Sequence, residues 1–195
     1  MESGAWKFFM TGVVTSLIIV FFFSHSNPGM IQAEKDIPEE TLILADKQEN
    51  VSVQSVFYGK QSFLYFGSLD SSKNDLDQVE KFLNWFDKSA PGDSQFVFIS
   101  LTPEKDGYKD LKDRFGKLSE KVLLLKPANS SAALELARSF GIQAYIQPES
   151  GNMKYKTALI WVDDSPKIRG IFPKIPEKPD SIDLPSLLVR AKEVP

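Results

Sequence analysis

Two continuous apolar runs, separated by a helix-like pattern, dominate the middle of the chain. Phe63 to Phe66 and Phe96 to Ile99 have the length and composition of buried strands. Between them, apolar residues recur at helical spacing, at Leu76, Val79, Phe82, Leu83 and Phe86. This order predicts a right-handed βαβ unit with a parallel strand pair. In open parallel sheets, the loop at the carboxyl end of such a strand usually carries the chemistry.

Local signals predict elements on either side of this unit. Val51 to Phe57 alternates apolar and polar residues, the period of a half-buried strand. Asp75 is predicted to cap the helix after the first buried strand, with Gln78 completing a variant capping box. Asn129 can cap a later helix that stops at Gly141.

The last part of the domain is predicted as a hairpin and a closing helix. Residues 155–162 and 167–172 are strand-like and flank the polar turn 163–166, which indicates an antiparallel hairpin. An amphipathic pattern beginning at Leu184 then predicts a final helix. The order of elements is that of a thioredoxin-like α/β domain, with a central mixed sheet flanked by helices.

The N-terminal segment predicts a membrane anchor. Residues 8–23 form an uncharged apolar run after Lys7, close to the ~20 residues that span a bilayer. Residues 1–26 are therefore a signal anchor or a signal peptide, and an uncleaved anchor is favoured. Residues 27–41 then form a polar tether, and residues 42–195 form the domain on the extracytoplasmic, periplasmic side. Cleavage would leave a periplasmic or secreted protein.

Composition excludes several classes of function. The 195 residues contain no Cys, which removes thiol catalysis, disulfides and thiolate metal sites. A formal net charge of −3, with scattered Lys and Arg, argues against nucleic-acid binding. No glycine-rich phosphate loop supports nucleotide binding. The one His, His25, lies beside the anchor, so a catalytic triad is excluded and we expect no enzyme and no cofactor.

Four segments together resemble the Sco/SenC family of copper metallochaperones, which assemble cytochrome c oxidase. Each matches a segment of that family in the right order: Leu64 to Gly67, Val97 to Asp106, Ala137 to Ile142, and Thr157 to Asp164. In the second, Thr102 and Lys105 stand for the first Asp and the Arg of an Asp-Pro-Glu-Arg-Asp turn. The resemblance implies a membrane-anchored, thioredoxin-like domain and a respiratory oxidase subunit or assembly factor as protein partner.

The departures from the family fall on its metal site. The resemblance places the two Cys of the family's Cys-x-x-x-Cys motif on Ser71 and Asp75, and its His on Tyr155. Cu(I) selects soft donors, whereas these three side chains offer hard oxygens. We therefore expect the fold and the anchor, but no copper binding, no other metal and no thiol chemistry. Asp70, Lys154 and Lys156 are the candidate interaction surface.

Three alternatives to a non-catalytic binding or assembly factor stay open. Asp70 and Asp75 could form a carboxylate site of a hard-metal-dependent enzyme, although loop and capping roles explain both residues. Asp163 and Asp164 could form an acid/base pair, although Asp-Asp-Ser-Pro is foremost a turn. The protein could also be a structural spacer.

Overall fold

A computed structural model of the chain describes residues 29–39, 41–44 and 49–187. The predicted anchor over residues 8–23 lies outside these ranges. Within them, no helix combines the length and apolar character needed to cross a membrane.

The described residues form a large mixed sheet and a small separate one. The strands are β1 Ile31–Asp36, β2 Thr41–Leu44, β3 Glu49–Ser52, β4 Gln61–Gly67, β5 Ser94–Ser100, β6 Val122–Lys126, β7 Ala144–Ile146, β8 Met153–Tyr155, β9 Leu159–Val162 and β10 Lys167–Phe172. The eight-stranded sheet has the order β1-β10-β9-β4-β5-β6-β2-β3, and β7 pairs with β8 alone.

Helices cover both faces of the large sheet. They are α1 Val53–Phe57, α2 Lys73–Ser89, α3 Tyr108–Leu111 and α4 Ser130–Ser139. A π-helical turn, Lys112–Gly116, continues α3, and a 3-10 turn spans Pro179–Ser181. Residues 184–187 are helical, where the final helix is predicted to begin.

The predicted βαβ unit is confirmed and forms the centre of the domain. β4 and β5 pair in parallel over seven residues each, and every one of these residues is buried. Successive side chains point to opposite faces, so each strand serves two cores. Phe63 and Tyr65 pack with α2 in one core, while Leu64 and Phe66 pack with α4 in the other.

Several local predictions require correction. Residues 53–57 form helix α1, because only Glu49–Ser52 pairs with β2 as a strand. Residues 31–36, predicted as part of a tether, are strand β1, paired antiparallel with β10 at the edge of the large sheet. A largely exposed edge strand lacks the hydrophobic alternation that would mark it in the sequence.

The start of α2 also differs from the prediction. Ser72 is the N-cap, and its hydroxyl accepts a hydrogen bond from the Asp75 backbone N–H at 3.2 Å. Asp75 lies three residues later and accepts from the Ser72 hydroxyl at 2.7 Å, so it takes part in the cap through a side-chain bond. The predicted caps of α4 are confirmed: Asn129 accepts from Ala132 N–H, and Gly141 has a φ of 82° after the helix.

The hairpin β9–β10 is confirmed, but its first predicted residues belong elsewhere. Tyr155 lies on β8 opposite Ala144, in the two-stranded sheet. In the turn, fully buried Asp163 accepts hydrogen bonds from two backbone N–H groups and from Arg169 Nε at 2.6 Å. These bonds give Asp163 a structural role in the β9–β10 turn.

Candidate functional site

The loop between β4 and α2 leaves the carboxyl end of the central strand at Gly67. A Cβ at Gly67 would collide with the Tyr65 ring and come within 3.1 Å of Phe98. Gly67 is therefore required by packing, because the aromatic rings of both central strands close over the backbone there. Replacing Gly67 would push the Tyr65 ring out of the core at the base of the loop.

Two of the three positions singled out in the sequence meet in a direct contact. The Ser71 hydroxyl is hydrogen-bonded to the Tyr155 hydroxyl and also donates to the Ser68 carbonyl. The Tyr155 oxygen accepts a further bond from the Ser68 N–H at 3.2 Å. The small β7–β8 sheet, which carries Tyr155, is thereby joined to the strand-end loop.

Asp75, the third position, lies close enough for its charge to act on both tyrosines of the site. Burial raises the pKa of Tyr155, and the Asp75 charge adds to this, while hydrogen bonds from Ser71 and Ser68 oppose it. Asp75 makes its own hydrogen bonds with Ser72 at the start of α2. The three side chains are thus neighbours, although Asp75 does not join the Ser71–Tyr155 hydrogen bond.

Tyr65 adds a second phenol beneath the loop. Its side chain is fully buried, and its hydroxyl has no hydrogen-bond partner of normal geometry among the described residues. Burial raises the pKa of Tyr65 strongly, and the neighbouring Tyr155 and Asp75 raise it further. Tyr65 is therefore a neutral phenol at every physiological pH.

Asp106, in the segment that follows β5, holds the strand-end loop in place. Its carboxylate accepts from the Leu69 N–H at 3.1 Å, from the Ser100 hydroxyl at 2.5 Å and from the Thr102 hydroxyl at 3.1 Å. The Ser68 and Thr102 hydroxyls are bonded at 2.5 Å, which adds a second link between the two strand ends. Burial raises the pKa of Asp106, although the three donors partly offset that effect.

The candidate interaction surface surrounds these buried contacts. Asp70 is exposed at the loop and pairs with Lys105 at 3.3 Å. Lys154 and Lys156 are exposed on either side of Tyr155. The exposed Asp70–Lys105 pair contributes little stability, so its charges are available to a partner.

The site offers oxygen donors only. Across the part of the chain that the structure describes, no three His, Cys, Asp or Glu side chains are grouped as a metal site would need. Ser71, Tyr155 and Asp75 already satisfy one another or their neighbours. The arrangement does not fit Cu(I), which prefers thiolate or thioether ligands.

Sequence reasoning overlooked Tyr65 and gave Asp106 no role beyond a motif match. Tyr65 sits inside an apolar run, where a phenol is indistinguishable from a core aromatic residue. Asp106 follows a buried strand by six residues, and an acidic residue after a strand end was the signal that could have suggested it. Its three partners lie in separate segments, which no local pattern links.

The architecture of the described residues defines a fold class, and comparison with known proteins identifies the family. The described residues form a thioredoxin-like α/β domain with a central mixed sheet and flanking helices. The sequence model of the SCO1/SenC family matches residues 32–183, and the chain therefore belongs to this family. A search of the curated proteins finds no match.

Solved structures share this fold at low sequence identity. Copper-bound ScoI of Arabidopsis thaliana is 18% identical, with a TM-score of 0.61, covering 82% of this chain and 98% of that one. A SCO1/SenC family lipoprotein from Bacillus anthracis is 19% identical, with a TM-score of 0.66, covering 83% and 98%. Copper-bound yeast Sco1 is 13% identical, with a TM-score of 0.60, covering 85% and 90%. At these identities the likeness shows the fold alone.

Replacement of Tyr155 and Tyr65 by phenylalanine should have different effects on the free energy of unfolding. Tyr155→Phe removes hydrogen bonds to Ser71 and Ser68 and should lower the free energy of unfolding by about 1–2 kcal/mol. Tyr65→Phe removes a buried hydroxyl that has no hydrogen-bond partner of normal geometry, and it should be neutral or stabilising. Urea unfolding measures both, with the exposed Tyr58→Phe as control; destabilisation by Tyr65→Phe equal to that by Tyr155→Phe would contradict the assignment.

Asp106 predicts a pH dependence of stability. Because the pKa of Asp106 is higher in the folded state, the unfolded chain releases this proton first as the pH rises above the ordinary value of 3.8. As the pH rises from the ordinary pKa to the raised pKa of the folded state, the contribution of Asp106 to the free energy of unfolding therefore decreases. Above the raised pKa this contribution is constant. Asp106→Asn cannot ionise, so the stability of the variant relative to wild type should increase through this window. Urea unfolding of wild type and variant from pH 3 to 7 measures this difference in stability. A difference that does not change with pH would contradict the prediction.

Proposed function

We propose that the protein is a membrane-tethered, non-catalytic SCO1/SenC protein that acts as a binding or assembly factor for a respiratory oxidase, without copper or thiol chemistry. The observation that carries the proposal is the direct Ser71–Tyr155 hydrogen bond in a chain without Cys. The family resemblance places copper ligands at these two positions and at Asp75. Hydroxyl groups that bond to each other there hold the loop closed and leave no soft donor for copper.

The proposed location is the extracytoplasmic face of the cell membrane. The uncharged run at residues 8–23 supports an anchor, and it precedes the first described residue, Gly29, by only a few positions. The domain would then be held at the membrane, where respiratory oxidase subunits are embedded. The partner would bind around the strand-end loop, through Asp70, Lys154 and Lys156, which are exposed beside the closed site.

The alternative of a hard-metal enzyme has weaker support. Asp70 is paired with Lys105, and Asp75 with the Ser72 hydroxyl, so each of the two carboxylates has a local partner. Two carboxylates that already have partners, among neutral phenols and hydroxyls, are too few for a tight Mg²⁺ or Ca²⁺ site. The spacer alternative differs from the proposal only in lacking a specific partner.

Capture of the partner tests the binding role. The tagged full chain, crosslinked in its own membranes and purified in detergent, is expected to recover respiratory oxidase subunits or their assembly factors. The paired change Lys154→Glu with Lys156→Glu should reduce this recovery several-fold, because it reverses the charge beside the loop. Lys112→Glu with Lys117→Glu is the matched control, because both lysines are exposed and lie at and just after the π-helical turn, and it should leave recovery unchanged. Equal recovery with both paired variants, or none with wild type, would favour the spacer.

Rebuilding the copper ligands tests the assignment of the degenerate site. Wild-type protein is expected to bind no Cu(I) in competition with bicinchoninate, whereas the combined change Ser71→Cys, Asp75→Cys and Tyr155→His should bind one equivalent. Replacing Ser71→Cys by Ser72→Cys in that triple variant keeps the number of thiols and should weaken binding strongly. Tight binding by wild type would overturn the loss of copper chemistry, and a folded triple variant that binds none would overturn the positional match.

A further inference from the structure

Exposed large apolar side chains are concentrated at one end of the sheet. Within the described ranges, the strongly exposed ones are Ile31, Tyr58, Tyr145 and Ile146. Tyr58 lies at the amino end of β4, where the adjacent Gly59 N–H bonds to Asp164 in the β9–β10 turn. The other three belong to the opposite end, where the strand-end loop is found.

The strand register gives the direction in which the chain approaches the sheet. Ile31 pairs with Ile171, which pairs with Ile160, which in turn pairs with Leu64, the middle residue of β4. At the other end of β1, Asp36 pairs with Lys167 beside the β9–β10 turn. Strand β1 therefore runs toward the amino end of β4, and the chain enters it from the side on which β4 ends.

The β7–β8 hairpin, residues 144–155, abuts the same end through Tyr155 and the strand-end loop. Tyr145 is 57% and Ile146 45% exposed, and Tyr145 lies directly opposite Lys154 in the ladder. Lys156 continues this basic edge, and its N–H bonds to the Gln143 carbonyl. The acidic residue of the hairpin, Glu149, is in the turn between the strands.

The length of chain before β1 limits how far this end can lie from a membrane. The apolar run ends at Phe23, and β1 begins at Ile31. The seven residues between them span at most roughly 25 Å when fully extended. If residues 8–23 are the anchor of the proposed function, the hairpin end of the sheet is the membrane-facing end.

We propose that the β7–β8 hairpin rests on the surface of an anionic lipid bilayer. Tyr145 shares a face of the hairpin with its ladder partner Lys154 and would enter the headgroup region, where amphipathic aromatic rings are favoured. Lys154 and Lys156 would contact anionic headgroups. Two lysines attract a bilayer only modestly, but the anchor keeps the hairpin at a high local concentration beside it. This inference rests on the anchor of the proposed function, and it orients the strand-end loop toward partners embedded in the same membrane.

Absence of native Cys makes a single-label experiment direct. Full-length Tyr145→Cys and Tyr58→Cys chains, each labelled with the fluorophore NBD, are reconstituted in phosphatidylglycerol-containing vesicles. The label at 145 should emit at shorter wavelength and be quenched several-fold more by a lipid-attached quencher than the label at 58. Adding Lys154→Glu and Lys156→Glu, or using phosphatidylcholine alone, should reduce the difference.

The outcomes separate this inference from the proposed anchor. Chains that float with vesicles but show equal, solvent-like emission at both labels would overturn the hairpin contact and leave the anchor intact. Chains that fail to float would overturn the anchor and this inference together. Shielding at 145 that appears only in native membranes, and not in pure lipid, would overturn the lipid contact in favour of a protein partner.

Discussion

Complete burial of the parallel pair β4 and β5 is the constraint on which the rest of the structure depends. Each strand contributes alternate side chains to two aromatic and aliphatic cores, so neither strand can shift by one residue without exchanging both sets. Helix α2 fills one core and α4 the other. The loop after Gly67 therefore begins at a fixed position, because the strand before it cannot move.

Polar contacts at this strand end restrain the loop, whereas a loop that binds a metal would need to be flexible. Asp106 holds the Leu69 backbone, the Ser68 and Thr102 hydroxyls link the two strand ends, and Tyr155 holds Ser71. The bonded groups are close in the fold, although they belong to segments that are distant in the sequence. A loop held closed in this way suits a surface presented to a partner better than a site that must open for an ion.

Family membership and loss of the ligand residues together explain the proposed role. The family match covers residues 32–183, including every element that positions the loop, while the chain lacks the thiols that copper chemistry requires. Selection on such a protein would act on the fold and its exposed surface. The proposed contact of the hairpin with a bilayer would orient that surface relative to embedded partners.

Local patterns predicted the βαβ centre, the caps of α4 and the β9–β10 hairpin, and composition excluded thiol chemistry, because periodicity, capping residues and residue counts can be taken from the chain directly. Packing was needed to show that residues 31–36 form an edge strand, that Ser72 caps α2, and that Asp163 pairs with Arg169. It also decided that Tyr155 meets Ser71, across a separation of 84 residues. Such contacts depend on where packed strands bring distant segments together, and no local pattern in the chain records that.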